Sequence, residues 1–186
     1  MKKAHRMTIA GLERDLPLFK VADDLYIAAF IMFGDVEITK AAAKALLEKA
    51  PEYDIMVTAE CKSIPLVYEM ARQNGDANYI VARKAPKVYM ENVIWTDVNS
   101  ITTANPQTLC LGESDVAAIK GKKVLIVDDV ISTGESLEAL INLVEKAGGN
   151  IVGKMAVLLE GDDLKSDKSI TYLENLPLFN EDGTAK

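Results

Sequence analysis

Apolar residues recur along this chain with two different periods. Short continuous runs rich in β-branched residues occur at 54–59, 79–82, 123–127 and 151–159, and each reads as a buried strand. Between them, Leu66, Val67, Met70 and Ala71, and later Leu137, Leu140, Ile141 and Val144, recur at the spacing of one helix face. Residues 36–50 are alanine-rich and stop at Pro51, where a helix would lose a hydrogen bond. Ser63 is placed to cap the second helix, Pro65 fits its first turn, and Asn74-Gly75 ends it, as Gly148-Gly149 ends the third. Strands alternating with helices predict an α/β fold, with a mainly parallel central sheet flanked by helices on both faces. Ligands in such sheets bind beyond the carboxyl ends of the strands.

The stretch 83–123 breaks this rhythm. It is long, polar and irregular, with short strands expected at 88–98 and 107–111, and an excursion of that length inside a compact domain is usually functional. The pattern divides the chain into an N-terminal segment (1–34), a core (35–180) and a polar end (181–186) that reads as a frayed tail.

Composition narrows the picture by exclusion. At 186 residues, 49% hydrophobic and 26% charged, the chain has the make-up of one ordinary globular domain. A net charge of -7 argues against a general polyanion-binding surface, although a local basic pocket stays open. Cys61 and Cys110 lack metal-ligand spacing and His5 is the sole histidine, which excludes zinc sites and Ser-His or Cys-His catalysis. The first residues are basic but lead into no apolar stretch suited to a signal peptide or membrane span, so a reducing cytoplasm is the expected compartment.

The chemistry concentrates where the apolar run Val124-Leu125-Ile126-Val127 meets Asp128-Asp129-Val130-Ile131-Ser132-Thr133-Gly134-Glu135-Ser136. Unpaired N–H groups and a positive dipole at a helix start make residues 132–136 a cradle for a phosphate, Ser and Thr hydroxyls add donors, and Gly134 permits close approach. Two carboxylates just before such a cradle are placed to accept hydrogen bonds from sugar hydroxyls and to hold a hydrated magnesium ion. The segment therefore reads as a grip for ribose 5-phosphate.

Residues 124–136 resemble the phosphoribosyl pyrophosphate (PRPP) motif of type I phosphoribosyltransferases. Thr58-Ala59-Glu60-Cys61-Lys62-Ser63-Ile64-Pro65 is similar to the pyrophosphate loop of the adenine phosphoribosyltransferase-like branch, and Val81-Ala82-Arg83-Lys84-Ala85-Pro86-Lys87 to its basic segment. The resemblance implies the type I fold and transfer of a ribose phosphate from PRPP to a purine, adenine first, with Mg2+ and a homodimer. It also implies roles for single residues. Asp128 and Asp129 face ribose and metal and act in catalysis, and residues Val130, Ile131, Ser132, Thr133, Gly134, Glu135 and Ser136 complete the 5-phosphate and ribose site. Glu60, Cys61, Lys62, Ser63, Arg83, Lys84 and Lys87 meet pyrophosphate. Residues 89–108, including Val98-Asn99-Ser100-Ile101-Thr102-Thr103, correspond to a loop that closes over PRPP, and 11–33 to a hood over the base.

Four questions stay open at this stage. Xanthine, hypoxanthine or another base is an alternative to adenine, and a PRPP-binding regulator without turnover is an alternative to the enzyme. Glu91 and Asp97 are both candidates for accepting the proton of the attacking base. Where relatives place glycine after the basic residue of the pyrophosphate loop, this chain has Ser63, which is expected to strain the loop unless its hydroxyl caps the helix or meets the diphosphate.

Overall fold

The computed structural model describes residues 3–98 and 107–186. Among them the elements run β1 (Ala4–Ile9), β2 (Leu12–Ala22), β3 (Leu25–Ala28), α1 (Val36–Leu47), β4 (Ile55–Ala59), α2 (Ile64–Asn74), β5 (Ile80–Ala82), β6 (Ile94–Val98), β7 (Gln107–Leu111), α3 (Glu113–Ile119), β8 (Lys123–Ile131), α4 (Glu135–Lys146), β9 (Asn150–Glu160) and β10 (Ile170–Leu176). Five strands form a parallel sheet in the order β10-β9-β8-β4-β5. The alternation of side chains along β8 explains the layers. Leu125 and Val127 pack in one core with Ile38, Leu46, Leu66 and Met70 of α1 and α2, whereas Val124 and Ile126 pack in the other with Ile119 of α3 and Leu140 and Val144 of α4. Helices thus cover both faces, as the alternation of elements predicts.

The boundaries differ from the sequence expectation where tertiary contacts override local pattern. The strand expected at 88–98 begins only at Ile94, and the residues before it form turns and irregular backbone, with Arg83 exchanging backbone hydrogen bonds with Cys110 of β7 and Met90 N donating to Lys87 O at 2.9 Å. β10 and α3 carry no strong period of their own and become regular by docking. The N-terminal segment is a three-stranded antiparallel sheet, β1-β2-β3. It is tied to the core by Arg14 of β2, which pairs with Asp35 at 2.7 Å and Glu37 at 2.9 Å at the start of α1. The polar end is not frayed. Phe179 pairs with Tyr26 of β3 on one side and Ala185 on the other, and Lys186 N donates to Leu178 O at 2.8 Å. No described helix is long and apolar enough to cross a membrane.

Candidate active site

The apolar run of β8 carries its backbone pairing past Val127 to Ile131, so Asp128 and Asp129 lie inside the strand, not after it. Asp128 pairs in register with Ala156, and the two carboxylates converge on the Ser63 hydroxyl at the sheet's carboxyl edge. Asp129 is 2% exposed and Asp128 is partly exposed. A turn of residues 132–134 follows, and α4 starts at Glu135. Gly134 has φ +85°, a conformation that side chains reach only with strain, and an added Cβ would meet Leu164 Cδ1 at 3.0 Å. Asp128, Val130 and residues 131–137 line a cavity of about 110 Å³ over this turn.

A second cavity of about 280 Å³ adjoins it, lined on the β4 side by Glu60, Cys61, Lys62, Ser63 and Lys84 and on the β8 side by Asp128, Asp129, Val130 and Ser136. The cavities share Asp128, Val130 and Ser136. The loop after β4 therefore folds back onto the acidic pair. Lys62 Nζ lies 3.1 Å from Asp129 Oδ2, which accepts no well-formed hydrogen bond among the described residues. The Ser63 hydroxyl donates to Asp128 and, at 3.2 Å, approaches Asp129 Oδ1, and it accepts from Asp129 N at 3.0 Å.

Ser63 thus meets neither the strain expectation nor the helix-cap expectation. It makes no side-chain cap to α2, and its φ of -82° and ψ of -6° lie in the ordinary right-handed helical region, so serine imposes no backbone strain that glycine would relieve. At 1% exposure it is a buried strut beneath the acidic pair.

Electrostatics follow from this packing. Burial first, and the Asp129 charge second, push Asp128 up to about 7, partly opposed by the hydrogen bond from Ser63. Glu60 is held below the usual carboxylate range, chiefly by the backbone N–H of Lys84 and further by Arg83.

Not every residue expected at the site reaches it. Arg83 spends its guanidinium on Glu60 at 3.1 Å and on the Tyr89 hydroxyl at 2.9 Å. Lys87 lines neither cavity, and the same holds for Glu91 and Asp97, both exposed. Residues 99–106 of the expected closing loop lie outside the described residues. One acid near the cradle was not singled out. Glu160 ends β9 as Asp128 and Asp129 follow the apolar part of β8, and burial raises its pKa, with Ser132 acting against the rise, although it lines neither cavity. The signal was available, an acid closing the run Ala156-Val157-Leu158-Leu159.

Residues 34–180 match the family described as phosphoribosyl transferase domain. The chain belongs to this family. A hypoxanthine/guanine phosphoribosyltransferase of Methanococcus voltae is 36% identical over 131 residues, 70% of this chain and 66% of that protein, just under two thirds of its length. An adenine phosphoribosyltransferase of Bifidobacterium longum is 31% identical over 177 residues, 91% of this chain and 89% of that one. In structure, the adenine phosphoribosyltransferase of Thermoanaerobacter pseudethanolicus superposes with a TM-score of 0.65 at 18% identity, covering 93% of this chain and 95% of that one. The fold is that of the type I phosphoribosyltransferases, with the parallel sheet, flanking helices and N-terminal antiparallel sheet described above.

Proposed function

We propose that the protein transfers the phosphoribosyl group of PRPP to a purine base, adenine first, releasing pyrophosphate. The observation that carries this reading is the pair of adjoining cavities meeting at Asp128. In it, the 5-phosphate takes the cradle of 132–136, where N–H groups at the start of α4 and the hydroxyls of Ser132, Thr133 and Ser136 are donors. The ribose hydroxyls donate to Asp128 and Asp129, and the diphosphate lies in the larger cavity beside Lys62 and Lys84. Arg83 joins only by leaving Glu60.

During transfer the bond from the anomeric carbon to pyrophosphate oxygen breaks as a base nitrogen attacks, and positive charge builds on the ribose. The two carboxylates beneath it stabilise that charge. Ligand hydroxyls add hydrogen bonds to the Asp128 carboxylate beyond those from Ser63 and Asp129 N, which favours its ionised form. The acids form no group of three or more that could hold a metal among the described residues, and Asp128 and Asp129 fit Mg2+ carried in by phosphate oxygens and water. Such an ion supplies charge neutralisation to the leaving group.

The N-terminal sheet, 1–34, serves in this reading as the hood over the base, and the cytoplasm is the compartment. A second copy of the chain is the partner, supported by the exposed apolar side chains Ile31, Phe33, Val36 and Tyr68 on one side of the molecule. The Methanococcus relative favours a 6-oxopurine as the alternative substrate. Pyrophosphate release from PRPP and Mg2+ with adenine, hypoxanthine, guanine and xanthine tests the reading. Turnover with adenine fastest supports it, turnover led by another base corrects the base, and tight PRPP binding without turnover on any base identifies a PRPP-binding regulator.

A further inference from the structure

The larger cavity holds a carboxylate where the diphosphate reading calls for cations. Glu60 lines it together with Lys62 and Lys84. Arg83 Nε donates to Glu60 Oε2 at 3.1 Å, Arg83 Nη2 reaches Glu60 Oε1 at 3.4 Å, and Lys84 N donates to Glu60 Oε2 at 3.0 Å. A guanidinium fork and a backbone N–H converging on two anionic oxygens is also how a phosphate group is held. Here the oxygens are the protein's own.

The donors are fixed and the acceptor is not. Arg83 N donates to Cys110 O at 2.9 Å and Cys110 N to Arg83 O at 2.8 Å, while Thr108 Oγ1 donates to Lys84 O at 3.3 Å, so β7 holds this backbone from the side. The guanidinium has a further anchor in the Tyr89 hydroxyl, which accepts from Arg83 Nη1 at 2.9 Å. Glu60 stands in the turn after β4, and its backbone N–H stays bonded to Ala82 O at 2.9 Å. Its side chain is 24% exposed, so rotation about its own bonds carries the carboxylate to water without breaking that backbone bond.

We propose that Arg83 and the Lys84 N–H form a phosphate subsite that Glu60 occupies as an internal anion, so that one phosphate group of the diphosphate binds there only by displacing the Glu60 carboxylate. This proposal rests on the transferase reading. The affinity gained at the subsite is then the difference between the new contacts and the ion pair given up. Glu60 therefore weakens PRPP and the product pyrophosphate alike, and its return to Arg83 neutralises the guanidinium as pyrophosphate leaves.

Calorimetry on the full-length protein, with inorganic pyrophosphate and ribose 5-phosphate as separate probes, tests the displacement. Glutamine keeps the shape of the side chain but releases Arg83 from an ion pair, so Glu60→Gln is expected to tighten pyrophosphate roughly 3- to 10-fold. Ribose 5-phosphate, which takes the cradle of 132–136, is expected to change less than about 2-fold. Unchanged or weaker pyrophosphate binding in Glu60→Gln overturns the proposal. A second readout leaves Glu60 in place: the Arg83 Nε–H resonance of the isotopically labelled wild-type protein, assigned through Arg83→Lys, is expected to shift on saturation with pyrophosphate and to stay on saturation with ribose 5-phosphate. A resonance that pyrophosphate does not move overturns the subsite, and tighter binding by Glu60→Gln would then reflect only the removal of a negative charge. Either negative result beside turnover by the wild-type protein leaves the transferase reading intact, whereas absence of turnover on every base overturns that reading.

Discussion

The two flanks of β8 hold their charges in opposite ways. On the β4 flank each acid already has a partner, Lys62 on Asp129 at 3.1 Å, Ser63 on Asp128, and Arg83 on Glu60 at 3.1 Å. On the β9 flank Glu160 belongs to none of the ion pairs among the described residues, and the neighbouring loop contributes the apolar Leu164, which packs over Gly134. Charges paired in advance keep the empty site from holding unsatisfied groups, but a ligand must then exchange partners, and its affinity is the difference between two sets of contacts. The less committed flank is where a ligand meets fewer prior claims. The comparison teaches that one side of the strand holds its acids already paired, while the other leaves an acid outside any ion pair among the described residues.

Removing the cation from the first flank is the strongest way to break this comparison. Lys62→Met leaves the buried Asp129 carboxylate without its counter-ion, and we expect it to lower stability by roughly 1–3 kcal/mol and raise the KM for PRPP about 10- to 100-fold. Urea melts and steady-state kinetics read both, and wild-type values in each would remove Lys62 from the exchange. On the second flank, Gly134→Ala forces a side chain into a left-handed conformation costing about 1–2 kcal/mol and drives it against Leu164. Ribose 5-phosphate affinity by calorimetry is expected to fall about 10-fold, as 1–2 kcal/mol implies. Adding Leu164→Ala should recover part of the loss, and no recovery would mean that only the backbone matters there.

Ser63→Gly probes the strut between the flanks. Since serine is unstrained, the substitution is expected to raise the KM for PRPP about 3- to 10-fold through loss of the hydroxyl that positions both acids, and improved binding would revive the strain expectation. The smallest effect concerns pH. Asp128 is pushed up to about 7 from an ordinary carboxylate value, so between roughly pH 4 and 7 the folded apo protein retains a proton that the unfolded chain releases. Its contribution to stability is therefore greatest at the acid end of that window and declines as pH rises. The difference in unfolding free energy between wild type and Asp128→Asn should shift by at most about 1.4 kcal/mol per pH unit within the window, in the direction that favours the asparagine protein at high pH. A flat difference would show that Asp128 titrates normally.

The central sheet was legible in the sequence because its strands are continuous apolar runs that make sense only when buried on both faces, and its helices show one apolar face each. The grip for a phosphate was legible for a related reason. Strand, acids, hydroxyls, glycine and helix are neighbours in sequence, and local geometry alone brings them together. What the sequence left undecided lies in contacts between segments far apart. Ser63 reads as a helix cap from its neighbours, yet the register of β4 against β8 sets it under Asp128 and Asp129, 65 and 66 residues away, where its hydroxyl serves the acids instead. Arg83 reads as a free cation until Glu60 is seen 3.1 Å from it. Glu160 ends an apolar run as plainly as Asp128 does, but only strand order sets it across β8 from Lys62, and only the register of β9 against β8 sets it next to the turn that follows Ile131. Periodicity reports which side of an element is buried. Which groups meet over that side depends on pairings whose chain separation no local pattern encodes.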